Sequence, residues 1–429
     1  MSLSSRLVFF PSCAVLFALI ANVANVATAT EPDPTLGGMV PVTRDVEPMG
    51  DEMDELRVRP NNGMPSHGGA GSFKTTDASQ DAAVKYLLSV QQQDGGWASG
   101  SWSAERAQSD VATTALVTLA ILRDGDKANL GAVKKGAHFI SQAVIHSDPS
   151  SPQVRTPQGT QPQAKLGQLA DTHFAALALS ELVGRLDGDA DREVRKALDL
   201  AVKKVELAQK GDGSFDGQGW APVLSSSVAV RSLYNAQAAG VAVDEKVLDR
   251  AEDWQVSQVT ADGRDAGGAA AGVDLYATAA TMSNSQRAQA RGGAAAPAAE
   301  KAAEAISSRV ANDSAGLVYG FGSIGGEEML SYMMMTEAMA EEGGDRFESW
   351  KGQVGAVLLQ SQSADGSWSG HHCITSTPFT TAGAVLTLAV IHNAPSKGGK
   401  LPPAQSERRG DIDRYDPAQE STASTLTEG

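Results

Sequence analysis

The feature that most constrains this chain is a turn that occurs three times with one internal spacing. Gln91-x-x-Asp94-Gly95-x-Trp97 returns as Gln209-x-x-Asp212-Gly213-x-Phe215 and as Gln362-x-x-Asp365-Gly366-x-Trp368. Each copy stands between two helical stretches of different character. Ahead of the first, "QDAAVKYLLSVQ" puts Ala83, Leu87 and Val90 on one face and Asp81, Lys85 and Ser89 on the other. That is the pattern of a half-exposed amphipathic helix. Behind it, "SDVATTALVTLAIL" is apolar or small almost all the way round, as a helix covered on every side should be. The unit is an outer helix, a turn and an inner helix.

Six such pairs can be traced. The inner helices begin near residues 110, 171, 226, 274, 329 and 377. The outer helices precede them at about 78–90, 131–145, 192–208, 243–257, 297–310 and 346–361. The spacing of 48 to 61 residues lies in the range of helical-repeat arrays. Repeats two, four and five lack the glutamine–tryptophan turn and carry Gly- or Pro-rich insertions, the longest at 147–169. An open solenoid exposes polar faces on both sides and needs distinct capping repeats. Here all six second helices are apolar throughout, so only closure into a ring covers them. The expected fold is all-α, an (α/α)6 toroid of six outer/inner helix pairs over residues 76–395.

The flanks read differently. Arg6 precedes an apolar run from Leu7 to about Ile20, and Ala27-Thr28-Ala29 offers a small-x-small cleavage site. Residues 1–29 are thus expected to be a secretory signal peptide and the protein to be exported. An uncleaved anchor is the rival reading, although Pro11, Asn22 and Asn25 spoil the run as a spanning helix. After cleavage Cys373 is the one cysteine left, which rules out an internal disulfide. Segments 30–75 and 396–429 are rich in Pro, Gly and charge without apolar period, and are expected to be disordered. The 51 acidic against 35 basic residues give a net charge of −16, which argues against nucleic acid or an anionic membrane surface as partner.

The turn has a physical reading that needs no catalysis. Glycine after aspartate supplies the positive φ at which a helix ends. The glutamine amide can bond orphan groups at two neighbouring helix ends. The aromatic ring covers the joint and contributes roughly 1.5–3 kcal/mol of burial. These turns resemble the QW repeats of the squalene-hopene and oxidosqualene cyclases, and the six-pair pattern over about 77–393 is similar to the wider cyclase/prenyltransferase toroid superfamily. The resemblance implies the toroid and a clamping role for glutamine and tryptophan. It implies no particular reaction, since one scaffold hosts many.

The chemistry that resemblance would bring is incompletely represented. The cyclases protonate their substrates with a D-x-D-D motif, which is absent; Asp187, Asp189 and Asp191 form the nearest run and read as a solvated turn. Prenyltransferases hold zinc with Asp, Cys and His. His371, His372 and Cys373 resemble part of such a set, and Asp171-x-His173 a ligand pair. Against zinc, only Arg231 is read as a cation on the inner helices, whereas a diphosphate needs several. Cys373 also fills the position that Trp102 and Trp220 take after the other turns, which suits a packing thiol. Asp110, Asp171 and Asp274 open inner helices and are expected to cap them. With His173, Tyr276 and mobile insertions they can also form a polar rim at the cavity mouth. The run Met333 to Met335 reads as core. No G-x-S-x-G, H-E-x-x-H or phosphate-binding glycine loop occurs.

The function expected from the sequence is a non-catalytic binding protein that takes a protein, glycan or apolar ligand at the mouth and needs no cofactor. The alternative is a diverged isoprenoid cyclase or prenyl transferase, or a lyase, on the same scaffold.

Overall fold

A computed structural model describes residues 77–100, 108–215 and 218–394. The signal peptide, the 30–75 linker, the 396–429 tail and Trp102 lie outside the described residues.

The described residues are all-helical. The outer helices are α1 (Asp77–Ser89), α3 (Leu130–Ile145), α6 (Gly188–Ala208), α8 (Glu245–Val256), α10 (Ala296–Val318) and α12 (Gly344–Ser361). The inner helices are α2 (Val111–Asp124), α5 (Ala170–Leu182), α7 (Pro222–Ala238), α9 (Asp274–Arg291), α11 (Gly326–Glu342) and α13 (Thr377–Asn393). A short helix α4 (Gln161–Leu166) belongs to the second insertion. Boundaries follow the sequence pattern within a few residues except in α10, which runs eight residues past the expected 310 and bends at Asp313 (φ −147°, ψ 45°).

The ring is closed. Each inner helix packs on the next, α2 on α5, then α7, α9, α11 and α13, and α13 packs back on α2. The outer helix α1 completes the seam by packing on both α2 and α13. The result is the double-walled (α/α)6 toroid expected from two kinds of helix in strict alternation.

The three glutamine turns hold this wall together. Nε2 of Gln91 donates to Gly95 O at 2.9 Å and to Ala132 O, in the first turn of α3, at 3.0 Å. Gln209 repeats this on Gly213 O and on Val247 O of α8. Gln362 repeats it on Gly366 O and on Ser79 O of α1. The glutamine therefore ties its own turn to the next outer helix, not one helix end to another. Glycine has a second reason beyond its positive φ of 87°, 93° and 88° at positions 95, 213 and 366. A Cβ at Gly95 would stand 2.8 Å from Lys135 O, and one at Gly366 would stand 2.6 Å from Ala82 C, both on the neighbouring outer helix. Asp94, Asp212 and Asp365 each accept from the backbone N–H two residues on, at 3.0 Å, the Asx turn that shapes the corner. Trp97, Phe215 and Trp368 are fully buried, and the two indoles donate to Leu87 O and Leu358 O.

The fourth joint has lost the glutamine and the aromatic, as the sequence reads, but keeps the backbone of the turn. Thr260 N–H donates to Arg264 O and Gly263 N–H to Thr260 O, both at 2.9 Å, the same backbone pattern as Gln92 with Gly96 and Gly95 with Gln92. Gly263 has φ 75°. Only the side chains have changed: Val259 stands where the glutamine would be, and Asp265 where the aromatic would be. Arg309 of α10 takes over the missing amide's work, donating to Gly263 O at 3.1 Å and to Asp274 Oδ2 at 2.6 Å. An open groove of about 950 Å3 runs beside it between the 256–264 segment and α10, with Ala298, Ala302 and Ala305 along its wall.

The middle of the ring is filled. Residues 111–121, 170–180, 222–234, 275–285, 326–336 and 379–391 form uninterrupted buried runs, one on each inner helix. Val117, Phe174, Val228, Ala279, Met333 and Val385 are all 2 % exposed or less. Side chains bordering a hollow would present surface to a water-sized sphere, and these do not. Small residues make this possible: Ala, Ser and Thr let the inner helices approach closely, and their described side chains are buried along these runs.

Candidate functional site

The N-termini of the inner helices converge at one end, the mouth, and the acids of the sequence pattern gather there. Asp110 caps α2, accepting from Thr113 N–H at 2.8 Å, and its other oxygen accepts from Ser99 N–H at 2.7 Å. Asp171 caps a neighbour instead of its own helix. It accepts from Ala112 N–H of α2 at 2.9 Å, from Thr156 Oγ1 at 3.1 Å and from Gln163 Nε2 at 2.8 Å. Both carboxyls are buried. Burial pushes the Asp110 carboxyl above its usual range, and burial together with the Asp110 charge lifts Asp171 to about 6. His173 is buried two residues on, its Nδ1 2.7 Å from Ser225 Oγ. Asp274, the most exposed of the set, holds the fourth joint through Asp265 N–H at 2.9 Å, Arg264 and Arg309. Asp110, Asp171, His173 and Tyr276 thus sit beneath the mouth surface.

What covers them is the second insertion. The helix α4 is stitched across the mouth. Gln161 Oε1 accepts from Thr375 N–H and Ser376 N–H at 2.8 and 3.1 Å, ahead of α13, and Ala221 N–H ahead of α7 donates to Lys165 O at 2.7 Å. A capping box between Thr160 and Gln163 starts the helix. The rest of the insertion is anchored by Lys204 of α6, whose ammonium is only 3 % exposed as a residue and donates to the carbonyls of Asp148, Ser151 and Gln153. Gln161, Gln163 and Lys204 were invisible as site residues because the insertion has no periodicity to place them.

A second acidic group was also missed. Glu327 and Glu328 are wholly buried in the first turn of α11, as its second and third residues, whereas Asp110 is the N-cap of α2 and Asp274 the first residue of α9. The apolar run beginning at Met329 hid them, although two carboxylates opening an inner helix were the available signal. Glu328 Oε1 accepts from Phe321 N–H at 3.1 Å and from Tyr276 Oη; Oε2 accepts from Gly325 N–H at 3.0 Å and lies 3.2 Å from His372 Nε2. Burial and the two glutamates push the Tyr276 phenol far up. Burial alone would lower the His372 imidazole, but the adjacent Cys373 sulfur and Glu328 outweigh it and push it up to about 11. Cys373 is partly exposed and sits at φ 52°, and His371 points outward. Among the described residues no three His, Cys, Asp or Glu side chains are arranged to hold a metal ion.

The opposite end of the ring holds a charge cluster, and the reading of Arg231 as the one inner-helix cation is corrected there. Arg123 and Arg287 also lie on inner helices, as does Arg291. Arg123 bridges Glu181 of α5 and Glu337 of α11; Arg231 bridges Glu337 from the far side and stands 3.6 Å from Glu181. The two bridges to Glu337 span non-adjacent inner helices and so cross the axis. The Arg123 and Arg231 guanidiniums are thus paired with glutamates. Asp187 and Asp189 are solvated, at 81 % and 95 % side-chain exposure, but the run is the start of α6 and not a solvated turn: Asp189 and Asp191 lie inside the helix, and Asp191, 18 % exposed, accepts from Gly184 N–H and Arg195 Nε.

No family model and no curated protein matches the sequence. In structure the chain is similar to the type II terpene cyclase MstE from Scytonema. The apo form gives a TM-score of 0.44 at 17 % identity, over 74 % of this chain and 98 % of that one. A variant with geranylgeranyl dihydroxybenzoate (substrate) gives 0.45 at 17 %, over 73 % and 97 %. Another with merosterolic acid A (product) gives 0.45 at 18 %, over 73 % and 96 %.

Proposed function

We propose that this chain is a non-catalytic binding protein on a toroid scaffold, exported by its leader and working through the mouth surface. The observation that supports this most is the unbroken burial of all six inner helices. Isoprenoid cyclisation or transfer needs a chamber of several hundred Å3 beside its acid or metal. Here packed side chains occupy that place, α4 covers the mouth, and the Arg123–Glu181–Arg231–Glu337 cluster closes the other end. The mouth acids have hydrogen-bonding work to do in holding helix ends. What is left to recognise a partner is the outer surface of the mouth, where Trp220 is 37 % exposed with the Lys165 ammonium 5.6 Å from its ring. An exposed indole beside an ammonium suits a glycan or a protein segment better than an apolar guest.

The test is incubation of the purified full chain with squalene and with prenyl diphosphates, followed by product analysis. No cyclised or transferred product is expected. Turnover of either class, lost on substitution of a mouth acid such as Glu327→Gln, would overturn the reading.

A further inference from the structure

We propose that Glu327 is the working part of a proton-operated latch that joins the approach loops of the fifth and sixth inner helices, closed while its carboxyl is protonated and loosened when it ionises.

The two loops, 319–325 and 371–374, meet edge to edge. His371 N–H donates to Ile324 O at 2.7 Å, and Gly326 N–H donates to Ile374 O at 2.9 Å. His372 Nε2 lies 2.9 Å from Ser323 O, and Ile374 N–H donates to Glu327 Oε2 at 3.2 Å. The approach is close enough to require glycine, since a Cβ at Gly326 would stand 2.7 Å from Ile374. The side chains at this junction divide the charge unequally. Glu328 has a hydrogen-bond donor or the His372 ring on both oxygens. Glu327, its immediate neighbour, is just as deeply buried but has one backbone donor on Oε2 and nothing on Oε1. A buried carboxyl in that position is stable only while neutral: ionised, it would leave a bare oxygen and stand beside a second negative charge. The groups facing it are Glu328 from its own helix, Tyr276 from α9, and His372 and Cys373 from the loop ahead of α13, with Tyr332 one turn on beside Glu328.

The loop is also under local tension. Cys373 is held at φ 52°, in the left-handed region that residues with a side chain rarely adopt. When Glu327 ionises, hydrating its free oxygen requires the loops to part, and parting lets Cys373 relax. Burial and Glu328 push the Glu327 carboxyl from 4.5 up to about 7. A raised acid stabilises the fold fully below its unfolded value, and that contribution is lost as pH climbs through the folded one. The latch is therefore closed in mild acid and opens just above neutrality. It concerns the loops themselves and stands whether or not the mouth binds a partner.

Hydrogen exchange of the full chain, corrected for the intrinsic pH dependence, tests this at pH 5.5 and pH 8.5. Protection of segments 319–328 and 369–376 is expected to fall by about tenfold or more at the higher pH, while the first joint, 91–100, stays unchanged. Glu327→Gln, which keeps the acceptor for Ile374 N–H and cannot ionise, is expected to hold its protection at both. Equal protection of the wild-type loops at the two pH values would overturn the latch. So would a uniform loss across all joints, or the same pH dependence in Glu327→Gln. If that variant does not fold, the wild-type contrast between the two segments and the first joint decides alone.

Discussion

Gln362 and Ser79, 283 residues apart, are joined by a reciprocal pair of hydrogen bonds: Ser79 Oγ donates to Gln362 Oε1 at 2.6 Å, and Gln362 Nε2 donates to Ser79 O at 2.9 Å. The last turn of the chain thereby takes hold of the first helix, as Gln91 takes hold of the second outer helix and Gln209 of the fourth. Of the three, this tie alone bridges the ring's two ends.

Removing it should cost more than its chemistry suggests. Gln362→Ala is expected to destabilise the protein by about 1–3 kcal/mol, because Ser79 and Gly366 lose buried partners. Protection of α1 against hydrogen exchange should fall more than that of any other outer helix. Equal fraying after Gln91→Ala and Gln362→Ala would mean the seam is not special.

The charge cluster predicts an acid limit. Burial alone would raise the Glu337 carboxyl, but Arg231 and Arg123 outweigh it and hold it down to about 2. An acid depressed below its unfolded value of 4.5 stabilises the fold above 4.5, and that stability drains away as pH falls towards 2. Urea unfolding between pH 5 and 2 should therefore show a falling stability that Glu337→Gln flattens. At neutral pH, Arg231→Met should cost about 1–3 kcal/mol, since it leaves Glu181 and Glu337 to share Arg123 alone.

Arg309 stands in for a missing glutamine, so Arg309→Ala should open the fourth joint. Loss of its bonds to Gly263 O and Asp274 is expected to cost about 1–3 kcal/mol, and to speed proteolysis within 257–273. Unchanged cleavage there would show that the turn stands without it.

Lys204 makes the second insertion part of the fold. In Lys204→Met the carbonyls of Asp148, Ser151 and Gln153 lose a shared donor. Limited proteolysis should then cut between 147 and 160 at least about tenfold faster, with the thermal midpoint little changed, because local opening and global unfolding are separate events.

The fold was legible in the sequence because its two signals are local. The polar stripe on α1 and its lack on α2 separate wall from core, and Gly95 with Trp97 marks the corner between them. The site was less legible because its parts come together only on closure. Arg123, Arg231 and Glu337 are far apart in sequence and meet across the axis. Gln161 finds the start of α13 through a segment with no period, and Glu327 is masked by the methionine-rich run behind it. Arg309 could not have been read at all, since it replaces in space a residue that its own repeat never carried.

The central claim is that the ring has no interior left to use, and native mass spectrometry with isoprenoids tests it most directly. The full chain, exposed to a saturating series of squalene, geranylgeraniol and farnesol, is expected to show only unbound protein. A one-to-one complex with any of them, persisting at low isoprenoid concentration, would contradict it.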